Sequence, residues 1–304
     1  MANPTPAFDV KLVQGKLVTV GYLPVGGDDG KWGGGSKRAL IRFKRRAAKS
    51  RYRISQTSGG RADCAISDLF AGAVNDTVDP ATIAELDKWI ARKWKAPLGR
   101  FTFKDIAGGK LREDVADEWT KLVTRVKGLG GTIDQPYGDT KRHPGRTSKS
   151  GASSFSFHMA GRAVDISQAL GGPPNQRYYI AKESDGTGTV WRIYCKTDKQ
   201  DGTQGKHYNE GDVECWSFWG KKAYKIPEGH YIDLTTEIEA NGQFERIRAQ
   251  TGWESNTNKP EWWHFQWKPD KQETFGDELE LVGYSEKDIK AAGYTEADLD
   301  RKPG

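Results

Sequence analysis

The sequence predicts an α+β protein in which a small three-helix domain precedes a larger domain with a mainly antiparallel sheet. Apolar residues recur at helical spacing in three segments of the first 95 residues. From about residue 128 to residue 268, short β-type runs alternate with turns. A hydrophobic content of 36%, 36 Gly residues and a mean hydropathy of −0.76 are typical of a loop-rich globular chain.

Three helices are predicted in the first 95 residues. The first lies within 8–22 and ends at Gly21, before Pro24. The second follows the glycine-rich turn 26–35, with Ser36 as its N-cap, and its apolar positions are Leu40, Ile41 and Phe43. The third opens at Asp79-Pro80 and runs to about residue 95.

The larger domain begins with an amphipathic helix from Leu111 to about Lys127 that ends at Gly128. A second helix is predicted near 241–251. Strands are predicted at 162–166, 177–181, 190–196 and 262–267. The resulting boundaries are a helical domain at 1–95, a linker at 96–110, an α+β domain at 111–270 and an acidic tail at 271–304.

The tail contains a ten-residue echo, GYSEKDI at 283 and GYTEADL at 293. In each copy a Ser or Thr stands three residues before an Asp. This spacing predicts two short helices that each open with a capping box.

Positive charge is concentrated at the N-terminus, where residues 1–100 carry 18 Lys and Arg against 9 Asp and Glu. Such a charge attracts a polyanion, although its sign does not separate nucleic acid from an anionic wall polymer or a lipid surface. No apolar run reaches the roughly 18 residues of a membrane helix. The first residues also lack the pattern of a standard secretion signal.

The Cys residues are too few for a disulfide scaffold, and they form no Cys-x-x-Cys metal pattern. Cys195 and Cys215 bracket one loop-rich segment. Two alternatives remain open for this pair, a disulfide in an oxidising compartment or two free buried thiols, and the free thiols are favoured.

Two segments bring together side chains that suit a catalytic metal. The first, SFHMAGRAVD, supplies His158 and Asp165, and the second, EWWH, supplies Glu261 and His264. A catalytic zinc takes three protein ligands of nitrogen and oxygen type, an open position for water and a nearby carboxylate as base. Two imidazoles argue against magnesium, which prefers oxygen ligands.

These segments match the SxHxxGxAxD and ExxH signatures, and the sequence thereby resembles the zinc D-alanyl-D-alanine metallopeptidases. That group includes D,D-carboxypeptidases, D,D-dipeptidases and L-alanyl-D-glutamate endolysins. The matching residues are Ser156, His158, Gly161, Ala163, Asp165, Glu261 and His264. The resemblance covers 111–269, and 183–230 is interpreted as an insertion.

The resemblance implies one Zn²⁺ per chain, bound by His158, Asp165 and His264, with Glu261 as the general base. Family members also carry an oxyanion-stabilising Arg about sixteen positions before the first His, where Arg142 stands here. The aromatic residue that often precedes it is replaced by Lys141, so Arg146 is the substitute.

Three residues are the candidates for substrate binding, namely Ser156, Arg146 and Trp263. Each has a structural alternative: a turn hydrogen bond for Ser156, a solvated loop position for Arg146 and a core position for Trp263. Trp262 has the same alternatives as Trp263. The remaining histidines, His143, His207 and His230, are interpreted as ordinary residues.

The first 95 residues resemble the common peptidoglycan-binding domain. The segments that carry this resemblance are DVKLVQGKLVTVGYL, DDGKWGGGSKRALIRF and VDPATIAEL. Lys44 replaces the Gln that usually follows the Phe, and 47–77 is longer than usual. Nine basic residues between Lys37 and Arg53 either form a solvated helix face or contact anionic wall polymers.

The function predicted from these observations is a zinc peptidoglycan hydrolase that acts in the periplasm or cell wall. An endopeptidase is favoured over a D,D-carboxypeptidase, because a wall-binding domain suits a polymeric substrate. A non-enzymatic wall-binding protein and a nucleic-acid binder are the alternatives; nucleic acid is not expected as a partner. Phage lysis or a dedicated secretion system would deliver the protein, and a delivery or immunity partner is not identified.

Overall fold

A computed structural model of the protein describes residues 7–49, 54–55, 67–133, 140–145, 155–240 and 242–303. The chain divides into two compact units, Met1–Arg100 and Phe101–Gly304. Helices and strands both occur, and each strand pair among the described residues is antiparallel. The predicted α+β class with a mainly antiparallel sheet is therefore confirmed.

The first unit contains helices and one short two-stranded sheet. Its elements are α1 (Val10–Thr19), α2 (Gly34–Ala47), β1 (Ile54–Ser55), α3 (Pro80–Ala91) and β2 (Trp94–Lys95). Strands β1 and β2 pair antiparallel. The helices enclose an apolar core that includes Leu17, Leu40, Phe43, Leu86 and Trp89, each fully buried.

Carboxylate caps begin two of these helices, because a side-chain oxygen satisfies a backbone N–H that has no partner within the helix. Asp9 accepts from the N–H of Leu12 and Asp79 from that of Thr82. The predicted Ser36 cap is wrong: α2 begins two residues earlier, at Gly34. Ser36 Oγ instead accepts a 2.9 Å hydrogen bond from the buried Gln14 side chain.

Two residues of the basic run point into the first unit. Lys44 is fully buried, and its Nζ donates to the Thr77 carbonyl at 2.6 Å and to Asn75 Oδ1 at 3.1 Å. Burial lowers the pKa of Lys44, although the charges of Asp79 and Asp76 oppose that shift. Arg46 is also buried. A solvated helix face therefore does not describe the whole run.

The second unit opens with a hairpin and a long helix, formed by β3 (Phe103–Ile106), β4 (Gly109–Arg112) and α4 (Glu113–Gly128). Helix α4 ends at Gly128 as predicted. The hairpin begins inside the stretch 96–110 that was interpreted as a linker. Leu111 and Arg112 belong to β4 rather than to the helix.

Two further sheets follow in the second unit. One has the strand order β12-β13-β5, formed by β5 (Ala163–Asp165), β12 (Phe244–Arg246) and β13 (His264–Trp267). The other has the order β10-β9-β6-β7-β11-β8. Its strands are β6 (Tyr178–Ser184), β7 (Thr189–Lys196), β8 (Lys206–Tyr208), β9 (Glu214–Ser217), β10 (Lys222–Lys225) and β11 (Gly229–Asp233). The stretch 183–230, interpreted as an insertion, thus supplies much of the larger sheet.

The main core of this unit joins α4 to both sheets. It includes Trp119, Leu122, Val164, Ile180 and Phe265. Among the described residues, no helix is long and apolar enough to cross a membrane.

The helix predicted near 241–251 is wrong. Helix α5 lies earlier, at Leu234–Glu239, where Asp233 caps it by accepting from the N–H of Thr236. Residues 244–246 form β12 instead, because they pair with β13 and bury Phe244 against Trp119 and Trp267. Pairing with a neighbouring strand overrides the local helical pattern.

The thiols of Cys195 and Cys215 are free and buried. Cys195 lies opposite Tyr178 and Cys215 opposite Ala181, both on β6. Because side chains alternate along a strand, positions three apart face opposite sides of the sheet. The sheet therefore separates the two sulfur atoms, and the open question of a disulfide is resolved in favour of free thiols.

The acidic tail folds as part of the second unit. It contains α6 (Phe275–Leu281), α7 (Glu286–Ala291) and α8 (Glu296–Leu299), and both predicted capping boxes are present. A small apolar core joins these helices to the 3-10 helix Phe157–Ala160. Its residues are Met159, Ala160, Phe275, Leu279, Ile289, Tyr294 and Leu299.

Candidate metal centre

The segment around His158 is a tight turn whose geometry follows from its sequence. Ser156 caps the 3-10 helix Phe157–Ala160 and accepts from the N–H of His158 at 3.3 Å. Gly161 ends it with a φ of +63°, in the left-handed region that favours glycine. A Cβ at this position would lie 2.6 Å from the Arg112 backbone nitrogen, so a larger residue does not fit.

Asp165 and His264 lie directly opposite each other on the antiparallel strands β5 and β13. Opposite residues of an antiparallel pair project to the same face of the sheet. The predicted ligands at 165 and 264 are therefore adjacent, although 99 positions separate them in the chain. The 3-10 helix that precedes β5 brings His158 to the same place.

Three side-chain atoms converge at the centre of this arrangement. His158 Nε2 lies 3.3 Å from His264 Nδ1 and 3.2 Å from Asp165 Oδ1, and His264 Nδ1 lies 3.0 Å from Asp165 Oδ1. All three residues are buried. They are the group of ligand-type residues in the described chain that could hold a metal ion.

Mutual electrostatics within this group shift two pKa values. Burial favours the protonated form of Asp165, but the charges and hydrogen bonds of His158 and His264 outweigh it and hold its pKa well below the usual range. Burial disfavours the charged form of His264, yet its hydrogen bond to Asp165 raises its pKa. The site therefore favours the ionised form of Asp165 next to a positive charge. A bound cation would also provide that positive charge.

Glu261 lies in a turn that is fixed by hydrogen bonds to its own carbonyl and to the carbonyl of the preceding residue. Trp191 Nε1 donates to the Pro260 carbonyl at 2.8 Å, and the N–H of His264 donates to the Glu261 carbonyl at 3.1 Å. The φ of Glu261 is +57°, a conformation that is uncommon for a residue other than glycine. Backbone strain of this kind is concentrated at functional sites.

The Glu261 carboxylate lies beside the three converging residues and is not one of them. Oε1 accepts a hydrogen bond from Gln250 Nε2. Burial raises the pKa of Glu261, the Asp165 charge adds to this effect, and His264, Gln250 and His158 oppose it. A carboxyl group with a raised pKa near a metal site has the properties of a general base.

Arg142 is buried, and its backbone forms a hydrogen bond with the 3-10 helix that contains His158. Its backbone N–H donates to the His158 carbonyl at 3.1 Å. The positive charge of Arg142 works with burial to lower the pKa of His264, against the larger effect of Asp165. The guanidinium thus lies within electrostatic range of the His264 ring. Arg146 lies outside the described residues.

Arg162 is not available as a cation for a substrate carboxylate. It is fully buried, and its Nη1 donates to Glu278 Oε1 at 2.6 Å. Its Nη2 donates to the carbonyls of Trp267 and Pro269 at 3.0 and 2.5 Å. The bond to Glu278 connects the residue before β5 to helix α6.

Two of the predicted substrate-binding residues have structural contacts. Ser156 Oγ caps the 3-10 helix, which is the turn hydrogen bond given as its alternative. Trp263 is 6% exposed and Trp262 is 3% exposed, and both pack in the main core. For Trp263 this is the core alternative rather than the wall of an open cleft.

Gln250 and Glu278 were not anticipated from the sequence. Gln250 lies in an irregular segment, where its backbone N–H donates to the Lys259 carbonyl. Glu278 lies in the acidic tail, where the composition predicts exposed side chains. Gln250 contacts Glu261, 11 positions away, and Glu278 contacts Arg162, 116 positions away, so no local pattern indicates either one.

Comparisons of the chain with protein-family models, with curated proteins and with solved structures found no match.

Proposed function

We propose that the protein is a zinc-dependent peptidase that hydrolyses peptide bonds of peptidoglycan, and that it acts as an endopeptidase. The observation that carries the proposal is the convergence of His158 Nε2, His264 Nδ1 and Asp165 Oδ1 within 3.3 Å of one another. Glu261 and Arg142 lie beside this group with the charges that hydrolysis of an amide requires.

The donor set fits zinc. Tetrahedral zinc with ligand bonds of about 2.0–2.1 Å holds its ligand atoms about 3.3 Å apart. The three separations here are 3.0, 3.2 and 3.3 Å. Two nitrogens and one oxygen suit zinc better than magnesium, whose ligands are mostly oxygens. When bound, zinc would lower the pKa of a coordinated water and polarise the scissile carbonyl.

Glu261 would act as the general base. Its carboxylate takes a proton from the attacking water as the oxygen bonds to the carbonyl carbon. It then delivers that proton to the leaving nitrogen as the C–N bond breaks. The raised pKa of Glu261 supports its role as base, because it makes the carboxylate a better proton acceptor. The hydrogen bond from Gln250 orients the carboxylate.

Arg142 would stabilise the negative charge that develops on the carbonyl oxygen. A buried guanidinium is worth more in this role than an exposed one, because water does not screen it. Its backbone bond to the His158 carbonyl holds the arginine close to the residues that would bind zinc. This contact supports Arg142 as the oxyanion residue.

The choice of peptidoglycan rests on the SxHxxGxAxD and ExxH resemblance. The choice of an internal bond has support from Arg162. A carboxypeptidase needs a fixed cation for the terminal carboxylate of its substrate. Arg162 is already bound to Glu278 and to backbone carbonyls, so it does not supply that cation, and Arg146, which lies outside the described residues, is the other arginine that could supply it.

The test is incubation of the purified protein with cross-linked dimeric muropeptides and, separately, with a monomeric pentapeptide stem. We expect release of monomers or shortened stem fragments, detected by mass spectrometry, and loss of this release when a chelator is present. Release of free D-alanine with dimers left intact would show a D,D-carboxypeptidase. No cleavage of either substrate by zinc-loaded protein would contradict the proposed function.

The first unit is proposed to hold the enzyme on the wall. Its resemblance to a peptidoglycan-binding domain supports this role, and the excess of Lys and Arg over Asp and Glu in this unit would attract anionic wall polymers. Lys44 and Arg46 are buried and do not take part.

Deletion of residues 1–100 should spare hydrolysis of soluble muropeptides and weaken attachment to intact wall, because targeting acts through effective concentration. The second unit has its own core, which supports folding of the shortened chain. Cosedimentation with purified wall measures attachment. If both forms sediment equally, the first unit has no targeting role.

A further inference from the structure

The C-terminal echo places two tyrosines against the segment that carries Arg142. We call residues 140–145 the Arg142 segment. Tyr284, from the first copy, lies with its hydroxyl 3.4 Å from His143 Nδ1. Tyr294, from the second copy, accepts a hydrogen bond from the N–H of Gly145 at 3.1 Å. Equivalent positions of the echo therefore contact the same segment.

Tyr294 bridges this segment to the helix that carries His158. Its hydroxyl accepts from Gly145 and lies 3.3 Å from Met159 Sδ, to which it donates. The ring is 7% exposed and packs edge-on against Phe155. Because Met159 is adjacent to His158, one hydroxyl links the Arg142 segment to the predicted metal ligand.

Other contacts hold the Arg142 segment at both ends. At its start, Thr140 Oγ1 accepts from the N–H of Lys110 at 2.9 Å. At its end, Gly145 has a φ of +83°, and a Cβ there would lie 2.6 Å from the Ala292 carbonyl oxygen. Only glycine allows this close approach to the end of helix α7.

The charge of Arg142 also reaches Tyr294. Burial raises the pKa of the Tyr294 hydroxyl, while the Gly145 bond and the Arg142 charge work in the opposite direction. Together these contacts place the second copy of the echo next to the segment that carries the arginine.

We propose that the C-terminal echo is a clamp for the Arg142 segment, in which Tyr294 and Tyr284 are positioning residues for Arg142. The inference rests on the proposed function, in which Arg142 stabilises the transition-state charge. It assigns a role to the tail, for which the sequence suggested no chemistry. Tyr294 is the principal contact, because its hydroxyl makes two bonds and Tyr284 makes one long one.

The clamp predicts a particular kinetic effect. An oxyanion donor acts mainly in the transition state, so misplacing it lowers kcat more than it raises KM. We expect Tyr294→Phe to lower kcat by about tenfold, because small displacements of a positioned group have effects of this order or larger. Bound zinc should not change, since the substitution leaves His158, Asp165 and His264 in place.

The matched control is Tyr224→Phe. The Tyr224 hydroxyl accepts from Gln176 at 2.7 Å on the larger sheet, away from the Arg142 segment. This variant loses one tyrosine hydroxyl from the same unit and should keep full kcat. Tyr284→Phe is a second variant of the clamp, with an expected loss of about twofold to threefold.

A double-mutant cycle with Arg142→Ala tests whether Tyr294 acts through the arginine. We expect Tyr294→Phe to have no further effect on kcat once Arg142 is absent. An equal tenfold loss in both backgrounds would overturn the clamp, and so would full kcat in Tyr294→Phe with an active wild type. An inactive zinc-loaded wild type would instead overturn the proposed function, on which the role of Arg142 depends.

Discussion

Replacing Glu261 by Gln should lower the rate of muropeptide hydrolysis by about 10²–10⁴-fold, which is the range for loss of a general base. The amide has nearly the same shape as the carboxylate and can still contact Gln250, but it cannot take a proton from water. Zinc content should remain at about one ion per chain, because Glu261 is not among the three converging ligands.

Metal analysis and kinetics on the same preparation distinguish a wrong assignment of the zinc ligands from a wrong assignment of the general base. Loss of zinc from a folded Glu261→Gln protein would mean that the ligands are wrongly assigned. Unchanged hydrolysis with zinc retained would remove Glu261 from the mechanism. Gln250→Ala is a useful companion, since loss of the orienting bond should give a smaller decrease than loss of the base itself.

Replacing His264 by Ala should remove both metal and activity. His264 Nδ1 contacts both of the other ligand atoms. Its loss would leave only one nitrogen and one oxygen ligand, which would bind zinc far more weakly. Hydrolysis should fall to the background of the assay. His158→Ala and Asp165→Ala should behave in the same way, and inductively coupled plasma mass spectrometry measures the bound metal.

His207→Ala is the matched control for the loss of a histidine. His207 is exposed on β8, where it pairs with His230 on the neighbouring strand β11. Its Nε2 lies 3.3 Å from Glu228 Oε1. This variant should keep its zinc and its activity. Equal loss of metal from His207→Ala and His264→Ala would place the zinc elsewhere.

The grouping of His158, Asp165 and His264 could be predicted because its information is local. His158 and Asp165 lie in one ten-residue segment, and Glu261 and His264 lie in one four-residue segment. Gly161 also had a local signal, since the turn before β5 requires a residue without a Cβ. What the sequence did not contain was the register of β5 and β13, which brings Asp165 opposite His264.

Residues that act across long sequence separations could not be predicted. Gln250 was expected in a helix, but pairing of residues 244–246 with β13 leaves it in an irregular loop beside Glu261. Glu278 belongs to an acidic tail, yet it is buried against Arg162. Composition indicates exposure for such a residue, and only the tertiary fold reveals its partner.

In the first unit, the basic run between Lys37 and Arg53 also contains a buried residue whose partners the composition did not indicate. Charge alone predicted either a solvated face or a polymer-binding face. Lys44 satisfies buried backbone and side-chain oxygens at 75 and 77, a structural role that neither interpretation included. The amphipathic spacing of α2 located its apolar residues, but it did not show that a lysine lies on the inner face.

The most direct test of a metal-dependent mechanism is hydrolysis of dimeric muropeptides by one preparation that is stripped of metal and then titrated with zinc. Bound zinc and released fragments are measured in the same samples. We expect no hydrolysis by the stripped protein, and a rise in activity with zinc that is complete at about one ion per chain. Full activity in protein shown to contain no metal would contradict this account.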